Sequence, residues 1–306
     1  MPIAAFLADR YGSRWIAFGG GLLYATALLL MAYLATPTSL FLTLGLMAGI
    51  ALSATSYAVI LGAVAQVAPP DKRSSTFGLI TAAGSLGMFA MIPLAQWLLS
   101  TYGWRWSFVV FAAMVGSIAV LALGFPRQQH SAHGVAAQDL ASGELTLSEM
   151  LTRARRNSSY WLLNAGFFVC GFHVAFIATH LPAYLADNGI GPGPRSLALA
   201  MIGLFNIAGS YLFGRLGDVY RKKTLLSILY FSRAIVISLF LLIPLTNVTA
   251  IAFGAIIGFL WLATVPLTSG AVATIFGSRY LSTLYGIVMF SHQLGVFGRL
   301  AGWARL

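Results

Sequence analysis

Acidic side chains are scarce: Asp and Glu together occupy 7 of 306 positions, and charged residues of both signs reach only 8%. A water-soluble domain of ordinary composition carries about 25% charge, so a surface that meets water all round is excluded. Cysteine is rarer still. The single one, Cys170, rules out an internal disulfide and says nothing of the redox compartment. No Asp or Glu falls inside a long apolar run, which excludes a proton relay of buried carboxylates within those runs. The short apolar stretch 2–7 has no basic flank and does not read as a cleavable signal peptide. Ser, His and Cys are not spaced as a nucleophile–base set or a metal-ligand set, so no enzyme, cofactor or metal is expected.

What is abundant is apolar: 59% of the chain, with a strongly positive mean hydropathy. Nine apolar runs follow one another at 15–35, 40–67, 77–99, 108–125, 160–185, 196–213, 225–245, 249–276 and 284–303. Each matches the roughly 20 residues that cross a hydrocarbon core, and lipid requires the helix because backbone amides must be satisfied within the segment. The net charge of +11 sits in short clusters between the runs and not along one face, which argues against nucleic acid as partner. If the side holding Arg10 and Arg14 is cytoplasmic, alternation puts 13 of the 18 Lys and Arg inside, 4 outside and Arg233 within a run. That asymmetry is the positive-inside pattern of a multi-pass membrane protein, with the lipid bilayer as its first partner.

The longest polar stretch divides the chain into an N-terminal helical bundle, 1–125, a linker, 126–159, and a C-terminal bundle, 160–306. The linker opens Gln- and His-rich, with His130 and His133, for which a metal-binding reading is weaker than that of a solvated loop. It ends where Leu145, Leu147, Met150 and Leu151 alternate with charges, readable as an amphipathic helix on the cytoplasmic membrane surface or as a solvated linker with a nascent helix.

The two halves resemble each other. Asp9, in Leu7-Ala8-Asp9-Arg10-Tyr11-Gly12-Ser13-Arg14, precedes Asp218, in Leu216-Gly217-Asp218-Val219-Tyr220-Arg221-Lys222-Lys223, by 209 positions, with Leu two before and Tyr two after each. Gly78 and Gly286 are 208 apart, as are Gly87 and Gly295. Both pairs lie on one side of the membrane, so the repeats are parallel.

On these residues the chain resembles the major facilitator superfamily, whose signature Gly-x-x-x-Asp-Arg-x-Gly-x-Arg joins the second and third helices of each six-helix half. Asp9, Arg10, Gly12 and Arg14 match it, with Ala5 in place of the leading Gly; Gly214, Asp218, Lys222 and Lys223 match in the second half, where Arg221 replaces the inner Gly. The resemblance implies an all-α integral membrane fold of two parallel repeats, six helices each in the family and about nine spans here. It implies a chain that starts late in the second helix and stops in the eleventh, hence a fragment not expected to transport alone. It also implies that the loop motif is a latch holding one of two alternating states, where the plainer reading is charge anchoring and a tight turn.

Ionisable groups within the apolar runs are His173, His180, Arg233 and His292. Such groups are costly in lipid and usually face a cavity or partner. Arg233 reads either as the counter-ion of an anionic solute or as a side chain that snorkels or pairs with backbone carbonyls. His173 and His180, seven apart, share a helix face and read as a substrate or proton pair, or as structural histidines. By the resemblance, Trp261 and Tyr57 belong to cavity-lining helices. The phrases Phe172-His173-Val174-Ala175-Phe176, His180-Leu181-Pro182-Ala183-Tyr184-Leu185 and Ser291-His292-Gln293-Leu294-Gly295 look like the monocarboxylate and oxalate/formate branch. Gly84 and Gly87 lack the Gly-Pro pair usual in drug-efflux members. The expected partner is a small anionic solute, with a coupling proton or ion. The alternatives are a multidrug- or sugar-type facilitator, and a non-transporting sensor or scaffold.

Overall fold

In the computed structural model, which describes residues 1–34, 36–125 and 145–303, every regular element among those residues is helical. The reading from composition holds because the chain offers almost no hydrophilic alternative. Helices α1 (Pro2–Tyr11) and α2 (Ser13–Tyr33) meet at Gly12, whose φ of 97° is left-handed backbone that a side chain would strain. There follow α3 (Pro37–Leu40), a π-helical turn (Phe41–Met47), α4 (Ala48–Ala54) and α5 (Tyr57–Ala65). Helix α6 (Arg73–Ala122) is 50 residues long but is broken at Gly103, φ 74° and ψ 175°. Around that break Trp97, Tyr102, Trp104 and Trp106 stand exposed, the pattern of side chains at a membrane–water interface.

Next comes α7 (Leu147–Arg155), started by a capping box: the Glu149 carboxylate accepts the Thr146 N–H at 2.8 Å and the Glu149 N–H donates to Thr146 Oγ1 at 3.4 Å. Met150 and Ala154 are buried on one side of α7, while Arg153, Arg155 and Arg156 are exposed. The chain continues through α8 (Ser158–Asp187), α9 (Pro192–Val219), α10 (Lys222–Leu242), α11 (Asn247–Leu260), α12 (Thr264–Phe276) and α13 (Leu281–Trp303).

Seven segments among the described residues are long and apolar enough to cross a membrane. The sequence reading of nine divides the segment Pro70–Ala122 into the runs 77–99 and 108–125, and the non-helical backbone at Gly103 does separate two helices there; it also adds α13, which is helical but not one of the seven. Interior breaks are the other difference. The runs 40–67 and 249–276 are each interrupted, at residues 55–56 and 261–263. His130 and His133 lie outside the described residues.

The chain forms two compact units, Met1–Val67 with Pro93–Leu162 and Phe276–Phe290, and Ala68–Ile92 with Leu163–Ile275 and Ser291–Leu306. Each unit therefore draws on both halves of the sequence. In the second, α9 and α11 pack with their backbones nearly touching: a methyl group on Gly258 would sit 2.5 Å from the Ile202 carbonyl oxygen and 2.6 Å from its Cα. Gly254 meets Ala198 in the same way one turn earlier. Small residues four apart permit this approach, which in lipid supplies the association that the hydrophobic effect supplies in water. Ile177, Leu181, Phe240, Phe253 and Ile257 fill the core beside it.

Candidate functional site

Each unit holds one carboxylate of the repeated motif, and each carboxylate ends on the first turn of a helix from the opposite half of the sequence. In the second unit, Asp218 at the end of α9 accepts the Ser74 N–H on Oδ1 at 2.8 Å and the Ser75 N–H on Oδ2 at 2.9 Å. These are first-turn amides of α6, which have no partner within their own helix. Gly78 and Gly214 let α6 and α9 cross closely enough for this, since a methyl on Gly214 would lie 2.7 Å from the Gly78 Cα. Lys72 and Arg215 join Asp218 in lining a hollow of about 460 Å³. We expect Asp218→Ala to cost about 1–2 kcal/mol through the two unpaired amides, the usual penalty for losing a cap. A lowered thermal midpoint of the purified protein checks it, with Asp218→Asn, which keeps one acceptor oxygen, falling between.

The first unit repeats the arrangement with a different detail. Asp9, at the end of α1, accepts both the N–H and the hydroxyl of Thr283 on one oxygen, Oδ2, each at 2.7 Å. Its other oxygen, Oδ1, is withdrawn from solvent without a hydrogen-bond partner. Burial pushes the Asp9 carboxyl up to about 6, against the opposing pull of the hydrogen bonds from Thr283. Around the two carboxylates, Gly12 makes the turn, Arg10 lies over Tyr11 at 5.5 Å and Arg14 over Trp15 at 5.7 Å. Lys222 runs across Gly270, and Lys223 is exposed.

The ionisable groups of the apolar runs separate into two places. Arg233, 2% exposed, lies against the break between α11 and α12: Nε donates to the Leu260 carbonyl at 3.0 Å, Nη2 donates to the carbonyls of Leu260 and Trp261, and Nη1 donates to Cys170 Sγ at 3.2 Å. Thr264 is 3.5 Å from the same sulfur. Half-buried His292 adjoins Cys170 and packs on Phe167 at 5.3 Å, and half-buried His173 completes the cluster. His180, two turns from His173, stands apart on Phe176 and lines a cavity of about 140 Å³ with Phe240 and Phe253. Tyr57, at the start of α5, belongs to the first unit.

Sequence reasoning missed Cys170 and Asn206 as members of this cluster and its surroundings. Asn206, fully buried, accepts the Leu262 N–H at 2.9 Å and donates to Ser85 Oγ at 2.9 Å. Its signal was present, since an uncharged polar residue in the middle of the run 196–213 needs a partner. Among the described residues no three His, Cys, Asp or Glu stand close enough to hold a metal.

The model of the Major Facilitator Superfamily matches residues 1–298. Monocarboxylate transporter 13 of Rattus norvegicus is 25% identical over 96% of this chain and 67% of its own length. The same transporter of Bos taurus is 28% identical but the chain spans only 49% of its length. The oxalate:formate antiporter of Oxalobacter formigenes is 24% identical over 93% of this chain and 67% of its own length. Among solved structures, the fucose:proton symporter of E. coli superposes with a TM-score of 0.71 at 18% identity, over 99% of this chain and 81% of that one.

Proposed function

Because this chain belongs to the Major Facilitator Superfamily, we propose that it moves small organic anions across a membrane by alternating access, as a secondary transporter. It is an integral, multi-pass membrane protein. One observation carries the choice of an anion. The apolar runs hold Arg233, Arg299, His173, His180 and His292, and no acidic residue. An interior that holds basic groups and no acidic one repels an anion less than a cation through its field, without a direct contact from Arg233, so a carboxylate solute is the one this interior favours. The relatives named for monocarboxylates and for oxalate and formate agree with that reading.

In this reading the halves 1–125 and 160–306 are the two bundles, joined by the linker and α7, and the Asp9 and Asp218 contacts are the latches. Each latch ties the end of one helix to the first turn of another far away in sequence, so it exists only while those two elements are adjacent. Breaking it wets the amides of Ser74, Ser75 or Thr283 and their carboxylate together. That exchange costs little, which suits a contact made and broken in each cycle. His173 and His292, each with its Nδ1 buried without a hydrogen-bond partner, are the proposed proton carriers.

The chain by itself is not expected to transport; as part of a complete two-bundle transporter reconstituted in liposomes, it is expected to support saturable uptake of radiolabelled formate or lactate. Excess unlabelled monocarboxylate suppresses that uptake, and a neutral hexose does not. Uptake of a hexose or of a lipophilic cation with none of carboxylate would overturn the anion reading in favour of a sugar- or drug-type facilitator.

A further inference from the structure

A helix that crosses lipid cannot leave backbone groups bare, and the break between α11 and α12 frees several of them. Its cause is Pro266. Proline has no amide hydrogen, and its ring crowds the carbonyl four residues earlier, that of Leu262. The chain accordingly unwinds over 261–263, and the Val265 N–H turns to Leu262 O at 2.9 Å, one residue short of its helical partner. In an unbroken helix the Leu260 and Trp261 carbonyls would accept from Thr264 and Val265. Instead both accept from Arg233. The Leu262 N–H, whose helical acceptor would be Gly258 O, is displaced by the Trp261 N–H at 2.9 Å and goes to Asn206 Oδ1.

We propose that residues 260–264 form a fixed elbow, clamped on its carbonyl side by Arg233 from α10 and on its amide side by Asn206 from α9, and that Arg233 is a positioning residue for Trp261 and Thr264 and not the counter-ion of the solute. The consequence for solute handling rests on the transport reading above; the clamp itself does not. Three observations converge. Arg233 has five N–H donors, and four of them already go to Leu260, Trp261 and Cys170, so no pair remains to grip a carboxylate as a fork. Its charge sits at the carboxyl end of α11, where the helix dipole is negative, which compensates a guanidinium without an acidic side chain. Asn206 is in turn fixed by Ser85 on α6, so three helices hold one turn.

The first half of the chain has a break at residues 55–56, which the 208-residue offset sets against 263–264. The position corresponding to Arg233 is Ala25 there, which can clamp nothing. Of the two related elbows, only the second is held by a side-chain cation at that position.

The test compares Arg233→Lys, Arg233→Gln and Asn206→Leu with the unaltered full chain in lipid nanodiscs. Amide hydrogen exchange is read over 258–266, and formate uptake is read in liposomes. Lysine keeps the charge but loses the fork, whereas glutamine loses the charge and keeps two N–H donors. The clamp therefore predicts exchange at least tenfold faster with Lys, a smaller increase with Gln, and a comparable increase with Asn206→Leu, which leaves every charge in place. It also predicts that uptake falls in maximal rate more than it rises in KM, in the same order. Unchanged exchange in both Arg233→Lys and Asn206→Leu would overturn the clamp. So would a near-normal KM for formate with Lys beside a strongly raised KM with Gln, the ranking of a counter-ion. If Arg233→Lys does not fold, Asn206→Leu decides alone through exchange. Uptake is read on a complete two-bundle transporter that carries this sequence; should that protein move no formate, the transport reading fails while the exchange data still judge the elbow.

Discussion

Gly258→Val lowers the thermal midpoint of the protein by roughly 4–6 °C, the shift expected of about 3 kcal/mol in a chain of 306 residues. The argument is steric. The first carbon added at position 258 already lies 2.5 Å from the Ile202 carbonyl oxygen and 2.6 Å from its Cα, and both atoms are backbone. A flexible side chain could swing aside, but a carbonyl in a helix moves only if the helix moves. Overpacking typically costs about 1–3 kcal/mol, and this site belongs at the upper end because α9 as a whole must retreat. Retreat would also pull Asn206 away from the Leu262 amide, one turn beyond. Gly87→Ala is the control, for nothing stands within 4 Å of the added methyl. Fluorescence-detected size-exclusion chromatography of heated samples reads both variants. A Gly258→Val midpoint within 2 °C of that control would show that α9 and α11 are not packed as described.

The second large effect concerns pH. In the folded protein Asp9 holds its proton up to about pH 6, and in an unfolded chain only to the ordinary 3.8. The folded state thus binds the proton more tightly, so the stability this group contributes is fully present below about pH 4 and is lost as pH rises to about 6. A shift of about two units corresponds to roughly 3 kcal/mol between those limits. The geometry explains the direction: only Oδ2 receives hydrogen bonds, while Oδ1 is buried without a partner and is the oxygen that a proton would occupy. Asp9→Asn has the shape of the protonated acid and keeps the acceptor for Thr283. It is expected to melt above the unaltered protein at pH 7.5, to match it near pH 4.5, and to lack the slope between. An Asn variant that melts lower at pH 7.5 would show that the ionised carboxylate is the stabilising form.

Much of this architecture was legible because lipid leaves a chain few options. Runs of about 20 apolar residues become helices whatever their finer order, and the basic clusters orient them. The repeat offset also brought the right elements forward: Asp9 and Asp218 are 209 apart, and Ser75 and Thr283, which they hold, are 208 apart. Breaks inside the runs were not read, since hydropathy is blind to backbone geometry. Pro266 was visible as a residue, yet a window average counts it as a neutral interruption, whereas the break at Gly103 falls between the runs 77–99 and 108–125 that the reading separated. Arg233 was seen and weighed, with its carbonyl partners among the alternatives. Its choice between solute and backbone depended on the break at 261–263, and so on Pro266 and on an Asn206 from another helix. Contacts of that kind join positions 27 to 56 residues apart and have no local signature.

The paired carboxylates have a consequence for how the chain is made. A helix cap is ordinarily supplied by the residue just before the helix, and so is in place when the helix forms. Here the group that caps α6 is Asp218, which leaves the ribosome 143 residues after Ser75, an interval of roughly 7–30 s at usual synthesis rates. During that interval α6 stands in the nascent protein with its leading amides turned to water or lipid headgroups. Helix α13 is in the opposite position: its cap, Asp9, has waited for 274 residues before Thr283 appears. Two segments 274 residues apart are therefore the ones that fasten the first unit, and it cannot close before Thr283 has been made.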